Sequence, residues 1–164
     1  CEVDFLDKTT MVVQNGNGYK MREHGTESRL AFGYESEANL LGVQYTPAGI
    51  MTAAPYKVID ADHWVFEGTG MKKGDLFGEK SLHQRIPGGA SGHETDKIMP
   101  DSPTHTHLLA RGENPDHGGA DMVVFDTDSG GAVFSVGSIT YVSSILVDDV
   151  VSAVTANVLR KFLD

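Results

Sequence analysis

The 164-residue chain is long enough for one domain that buries a hydrophobic core. Hydrophobic residues make up 40% of it, which excludes a disordered chain. Its 13 basic and 23 acidic side chains give a formal net charge of −10. A chain this acidic repels phosphate backbones and anionic membrane surfaces, so we expect neither nucleic acid nor a membrane as its partner.

The single cysteine, Cys1, excludes an internal disulfide and a zinc site built on cysteines. This cysteine usage fits a reducing compartment, and we expect a cytoplasmic location. No run of 18 apolar residues could span a bilayer, and no secretion signal is visible. Because the sequence opens without an initiator Met, we expect residues 1–164 to form a single domain that is a piece of a larger polypeptide.

The first half of the chain is weakly patterned. The residues predict a strand at Thr10–Val13, a turn at Asn15–Gly18 and a buried strand at Asn39–Tyr45. A short apolar run, His63–Phe66, precedes a loop at Glu67–Asp75.

The second half carries clearer signals. Strands are predicted at His107–Ala110, Asp121–Asp126 and Ala132–Val136. The residues Asp128–Gly131 form a tight turn signal between the last two, which predicts an antiparallel hairpin.

The end of the chain is predicted to be an amphipathic helix. Acidic residues stand near its predicted start, and Arg160 and Lys161 near its end, where each sign favours the helix dipole. We expect this helix to cover one face of a sheet. Its apolar residues recur at helical spacing: Val147, Val150, Val151, Val154, Val158 and Phe162.

The loop Gly88–Lys97 is the best candidate for chemistry. Its glycines permit unusual backbone conformations, and His93, Glu94 and Asp96 supply groups that can act as a base or an acid. We predict these three as the catalytic residues, with Glu94 as the chemical group. Two alternatives stay open: a solvated acidic loop, and an ion pair between Asp96 and Lys97 that pins the loop.

A second candidate is a divalent metal site at His105-x-His107, since residues two apart on a strand share a face. His117 and Asp121 follow nearby in the sequence. Surface histidines are the favoured alternative, because metal motifs need more defined spacing. We assign no metal ligand in this chain.

Two serines have weaker claims. Ser91 lies in Gly-Ala-Ser-Gly-His, which departs from a nucleophile elbow because position 93 is His rather than Gly. Ser138 follows a predicted strand and a glycine, a position where open α/β sheets place ligands; the alternative is a helix N-cap.

Three ordered segments, Gly89–Lys97, Gly130–Ile139 and Val151–Leu163, together resemble the C-terminal part of the large (beta) subunit of the N,N-dimethylformamidase family. The first has the form Gly-Ala-Ala/Ser-Gly-x-Glu-x-Asp-Lys/Arg, and the second Gly-Gly-Ala-Val-Phe-Ser-x-Gly-Ser-Ile. The third is rich in Asn-Val-Leu-x-x-Phe. The resemblance covers residues 61–164 well and residues 1–38 thinly.

The resemblance implies an α/β fold with a Rossmann-like, class I glutamine-amidotransferase-like layered sheet. It also implies hydrolysis of a small amide by a large subunit that carries a ferric iron on two tyrosines and a glutamate. A catalytic glutamate near the iron matches Glu94, whereas the iron ligands lie outside this chain. The implied partners are a small amide substrate, the remainder of the large subunit, a small subunit and further copies in an oligomer. The competing hypothesis is a non-catalytic structural, assembly or binding module.

Overall fold

The computed structural model describes residues 2–5, 11–14 and 36–163. The helices are α1 (Glu37–Leu41) and α2 (Asp149–Leu163), with 3₁₀ helices at Trp64–Phe66 and Thr140–Ser143. In chain order the strands are β1 (Glu2–Phe5), β2 (Met11–Gln14), β3 (Gln44–Thr46), β4 (Ala53–Ala54), β5 (Tyr56–Val58), β6 (Leu76–Phe77), β7 (Ser91–Gly92), β8 (Thr95–Lys97), β9 (His107–Gly112), β10 (Asp121–Asp126) and β11 (Ala132–Ser135).

The main sheet has five strands in the order β11-β10-β9-β5-β6. Three two-stranded sheets accompany it: β1 with β2, β3 with β8, and β4 with β7. All of these strand pairs are antiparallel. No helix within the described ranges is long and apolar enough to cross a membrane.

The predicted hairpin is confirmed, with β10 pairing β11 in the register Asp126↔Ala132. Its turn closes where the amide of Thr127 donates to the carbonyl of Gly131 at 2.7 Å. Gly130 takes a left-handed φ of 86°, a conformation that costs glycine nothing. The turn chemistry alone therefore sets this part of the topology.

The fold-class prediction holds only at its coarser level, a mixed α/β chain with a sheet and a C-terminal helix. A Rossmann-like parallel sheet is not what the described residues form. Parallel strands need crossover connections of roughly a dozen residues or more, usually through a helix. Here β10 and β11 are joined by a tight turn, and no α-helix intervenes between β3 and β11.

The C-terminal helix is confirmed and packs into the hydrophobic core. Val151, Val154 and Val158 are buried on one side of α2, beside core residues from the central strands. Asp149 stands in its first turn, and Arg160 and Lys161 in its last, as the dipole favours. The core residues from the sheet include Tyr56, Leu109, Met122 and Val124.

The prediction for the first half needs one correction. The strand predicted at Asn39–Tyr45 is instead the short helix α1 followed by β3. The hydroxyl of Ser36 caps α1 by accepting the amide of Ala38 at 3.2 Å, and Gly42 ends it with a left-handed φ of 75°. The strand predicted at Thr10–Val13 corresponds to β2, and the turn at Asn15–Gly18 lies outside the described residues.

Candidate functional site

The glycine-rich loop runs through two small sheets. Its first part contains β7, which pairs with β4, and its last part contains β8, which pairs with β3. Gly89 has a φ of 151° and lies so close to β4 that a Cβ there would fall 2.3 Å from the carbonyl oxygen of Ala54. Only glycine permits this approach. The loop is therefore fastened to the body of the domain.

His93 sits at the turn between β7 and β8 with a left-handed φ of 68°. Its amide donates to the carbonyl of Thr52 at 2.9 Å, and its carbonyl accepts the amide of Met51 at 2.8 Å. The imidazole meets His83 edge to face at 5.3 Å, and its buried Nδ1 has no hydrogen-bond partner among the described residues. Backbone strain of this kind often accompanies functional sites.

Glu94 and Asp96 line one cavity of about 310 Å³. Residues two apart along an extended segment point to the same face, which explains why the two carboxyl groups share this wall. The other walls come from α1 and from the segment that follows β11. Apolar side chains dominate them: Leu41, Val43, Val136 and Ile139.

The carboxyl group of Asp96 is the most perturbed acid described. Burial, together with the neighbouring carboxylates of Glu37 and Glu94, raises its pKa to about 6. Its backbone is fixed, since its amide donates to the carbonyl of Gly137 at 2.8 Å. The cavity therefore presents one carboxyl group that keeps its proton up to about pH 6 beside a second carboxyl group.

The alternate residues of β8 face the other way. The hydroxyl of Thr95, fully buried, lies 2.6 Å from the carbonyl of Gly118 and 3.0 Å from that of Ala48. The ammonium of Lys97 donates to the carbonyl of Gly119. The alternative of an Asp96–Lys97 ion pair is not what the described structure shows, because neighbouring strand residues point to opposite faces.

Asp121 anchors the strand that carries these residues. Its carboxylate is only 2% exposed; Oδ1 accepts Nε of Arg111 at 2.6 Å, and Oδ2 accepts the amide of Ile98 at 3.0 Å. This hydrogen bond raises the pKa of the Arg111 guanidinium. The buried carboxylate of Asp121 thus connects β10 to the residue that follows β8. It does not form a metal site with the histidines.

The histidines near Asp121 in the sequence have separate hydrogen-bond partners. Nε2 of His105 donates to the carbonyl of Asp126 at 2.9 Å, whereas Nε2 of His107 pairs with the carboxylate of Asp60 at 2.7 Å. His117 lies in a separate turn with a left-handed φ of 57°. Over the described ranges, no three His, Cys, Asp or Glu side chains are placed to hold a metal ion.

Both serines have structural partners. The hydroxyl of Ser138 donates to the carbonyl of Ala90 at 2.8 Å and accepts the amide of Gly92 at 2.8 Å. Ser91 is fully buried and donates to Oδ1 of Asn114 at 2.7 Å, so it is not a surface nucleophile. Ser138 also lines the cavity with Glu94.

Sequence reasoning missed the cavity wall supplied by Leu41 and Val43, and the acid Glu37. Leu41 and Val43 come from the segment predicted as a strand, and Glu37 lies just before it. The capping pattern Ser36-Glu37 ahead of an apolar run, closed by Gly42, is the signal that identifies a helix there.

One family comparison gives a match. The family model for the C-terminal domain of N,N-dimethylformamidase beta subunit-like proteins matches residues 8–152, which include the loop with Glu94 and the segment with Ser138. This description implies a larger protein context. No curated protein matches the chain. Because the match spans most of its length, the chain belongs to the N,N-dimethylformamidase beta subunit-like, C-terminal family.

Proposed function

We propose that this chain supplies part of the active site of an amide hydrolase. The observation that carries the proposal is the cavity wall on which Glu94 and Asp96 lie together. The cavity opens beside a fixed, glycine-shaped loop, and its opposite wall is apolar. A small amide whose nitrogen bears alkyl groups is the substrate class that such a wall accommodates.

Glu94 is the proposed proton acceptor. Hydrolysis needs a water molecule that loses a proton as its oxygen bonds to the amide carbon, after which the carbon–nitrogen bond breaks and the amine leaves with a proton. Glu94 takes the proton of the water. The carboxyl group of Asp96, with its pKa raised to about 6, returns a proton to the leaving amine. His93 does not line the cavity; its proposed role is to hold the turn before Glu94 through its backbone hydrogen bonds with Thr52 and Met51.

The ferric iron that the resemblance implies is a separate question. The described residues of this chain do not place three His, Cys, Asp or Glu side chains together as ligands, and the resemblance assigns the iron to two tyrosines and a glutamate outside this chain. We derive no step through the metal. The proposal places its ligands, and the Rossmann-like sheet, in the remainder of a larger subunit. A small subunit and further copies are the proposed additional partners.

A non-catalytic assembly module is the second candidate. Three apolar side chains lie largely in solvent: Val142 is 67% exposed, Leu146 86% and Leu163 85%. A contiguous apolar patch built from such side chains would favour contact with another protein surface. On this hypothesis Glu94 has no role in turnover.

The variant E94Q, made in the full native protein that contains this chain, distinguishes the two candidate functions. We expect E94Q to lower amide hydrolysis at least 100-fold, the usual scale of a lost acid–base group, with unchanged thermal unfolding. The matched control is E79Q, at an exposed glutamate outside the cavity, which we expect to retain activity. Full activity in E94Q would overturn the catalytic proposal and favour the module.

A further inference from the structure

A second and larger cavity lies apart from the one at Glu94. Its volume is about 620 Å³, within the range of small-molecule sites, and it shares no lining residue with the first. It is bounded by the last turn of α2, by the turn between β10 and β11, and by the 3₁₀ helix at Trp64–Phe66. The residues that carry the argument are His63, Trp64, His105, His107, Lys161 and Phe162.

The aromatic wall is held in place by α2. Nδ2 of Asn157 donates to the carbonyls of Val65 and Glu67 at 3.0 and 2.9 Å, which fixes the 3₁₀ helix that bears Trp64. The ring of His63 lies 5.1 Å from that of Trp64 and stacks on His107 at 5.2 Å. These rings form a preorganised surface for a flat ligand, which reduces the entropic cost of binding.

The hydrogen bonds assign the tautomers of the three imidazoles. Nδ1 of His63 accepts the amide of Val65 at 3.4 Å, so its Nε2 carries the proton and can donate to a ligand. Nε2 of His105 and of His107 must donate, because a carbonyl and a carboxylate receive them. Burial lowers the pKa of His63 and keeps this donor neutral.

The cavity offers donors that are not already paired. Lys161 forms no ion pair with any residue in the described part of the chain. The nearby carboxylate of Asp60 already accepts His107, which leaves Asp126 as the one acidic lining residue. The lining therefore offers an anion two unpaired donors, the ammonium of Lys161 and the neutral Nε2–H of His63, against the one carboxylate of Asp126.

We propose that this cavity binds a small aromatic carboxylate, with its ring against Trp64 and His63 and its carboxylate at the ammonium of Lys161. The inference is independent of the proposed amide hydrolysis. Charge-assisted hydrogen bonds are the stronger class of polar contact, and aromatic stacking adds to them.

Trp64 is the only tryptophan of the chain, so its fluorescence reports on this cavity alone. The experiment titrates the 164-residue chain with benzoate, excites the indole selectively, and repeats the titration with acetate and with benzyl alcohol. We expect benzoate to change the emission saturably. We expect acetate, which lacks the ring, and benzyl alcohol, which lacks the charge, to bind at least tenfold more weakly.

The variant K161M tests the anion contact. Loss of one charge-assisted hydrogen bond should weaken benzoate binding about tenfold. The control is K73M, at an exposed lysine in a loop outside this cavity, and it should bind benzoate as the original chain does. Far-UV circular dichroism confirms that each variant is folded. Absence of saturable binding, equal binding of benzyl alcohol, or undiminished binding by folded K161M would each overturn the proposal.

Discussion

The hydroxyl of Ser138 accepts the backbone amide of Gly92 at 2.8 Å, across 46 residues of sequence. The same hydroxyl donates to the carbonyl of Ala90 at 2.8 Å. It thereby joins two of the three segments that carry the family resemblance, the glycine-rich loop and the stretch Gly130–Ile139. An isolated bridge between Thr95 and Ser138 strengthens the same junction. The position of Glu94 depends on this connection.

Removing that hydroxyl should loosen the loop. We expect S138A to lower the free energy of unfolding by about 1–2 kcal/mol, because the amide of Gly92 and the carbonyl of Ala90 lose their partner in a partly buried place. Urea denaturation measures the effect. The control S152A, on the exposed face of α2, should change stability by no more than about 0.5 kcal/mol. Equal stability of S138A and the original chain would contradict the role of the junction.

The raised pKa of Asp96 predicts a pH-dependent stability difference. This carboxyl group binds its proton more tightly when folded, with a pKa of about 6, than when unfolded, with a value of 3.8. The contribution of this carboxyl group to folding stability is therefore fully present below about pH 4 and is lost as the pH rises through about 6.

The amide in the variant D96N does not ionise, so this variant does not lose that stability as the pH rises. We expect D96N to exceed the original chain in stability by about 2 kcal/mol at pH 7, with the difference disappearing near pH 4. Urea unfolding at both pH values measures it, with D101N at an exposed aspartate as the control. A D96N chain no more stable than the original at pH 7 would refute the raised pKa. In the full protein, D96N should also lower amide hydrolysis, the expected trade of stability against function.

The left-handed backbone of His93 gives a matched pair of variants. Both H93A and H93G lose the ring contact with His83, but only alanine keeps a Cβ at a φ of 68°. We expect H93A to be less stable than H93G by about 1 kcal/mol, because a Cβ clashes with the backbone in this conformation. Thermal unfolding compares the two directly. If H93A proved the more stable variant, the left-handed conformation would be wrong.

The buried carboxylate of Asp121 should depend on Arg111. We expect R111M to lower the free energy of unfolding by about 2 kcal/mol, less than for a fully buried pair because the guanidinium side chain is half exposed. R111K should recover part of the loss, since lysine restores a charge without the same geometry. Denaturant unfolding of both variants beside the original chain gives the comparison. An unaffected R111M would show that water replaces the arginine.

Local signals in the sequence were sufficient for the elements that local interactions stabilise. The residues Asp128–Gly131 dictated a hairpin, and the valine spacing dictated α2, because a turn and an amphipathic face are each encoded within a few neighbouring positions. The glycines and ionisable residue types of the loop singled out Glu94 and Asp96, and the structure showed that they line one cavity. Leu41 and Val43 were misassigned to a strand because a short apolar run carries no clear period.

The tertiary structure decided everything that depends on distant parts of the chain. It determined the antiparallel strand pairing, the hydrogen bond from Lys97 to the carbonyl of Gly119, and the hydrogen bond from the amide of Ile98 to Asp121. It also gave His105 and His107 different hydrogen-bond partners. The sequence by itself determined residue types, periods and turns. Which carboxylate is buried, and therefore which one keeps its proton, depends on desolvation by residues far away along the chain.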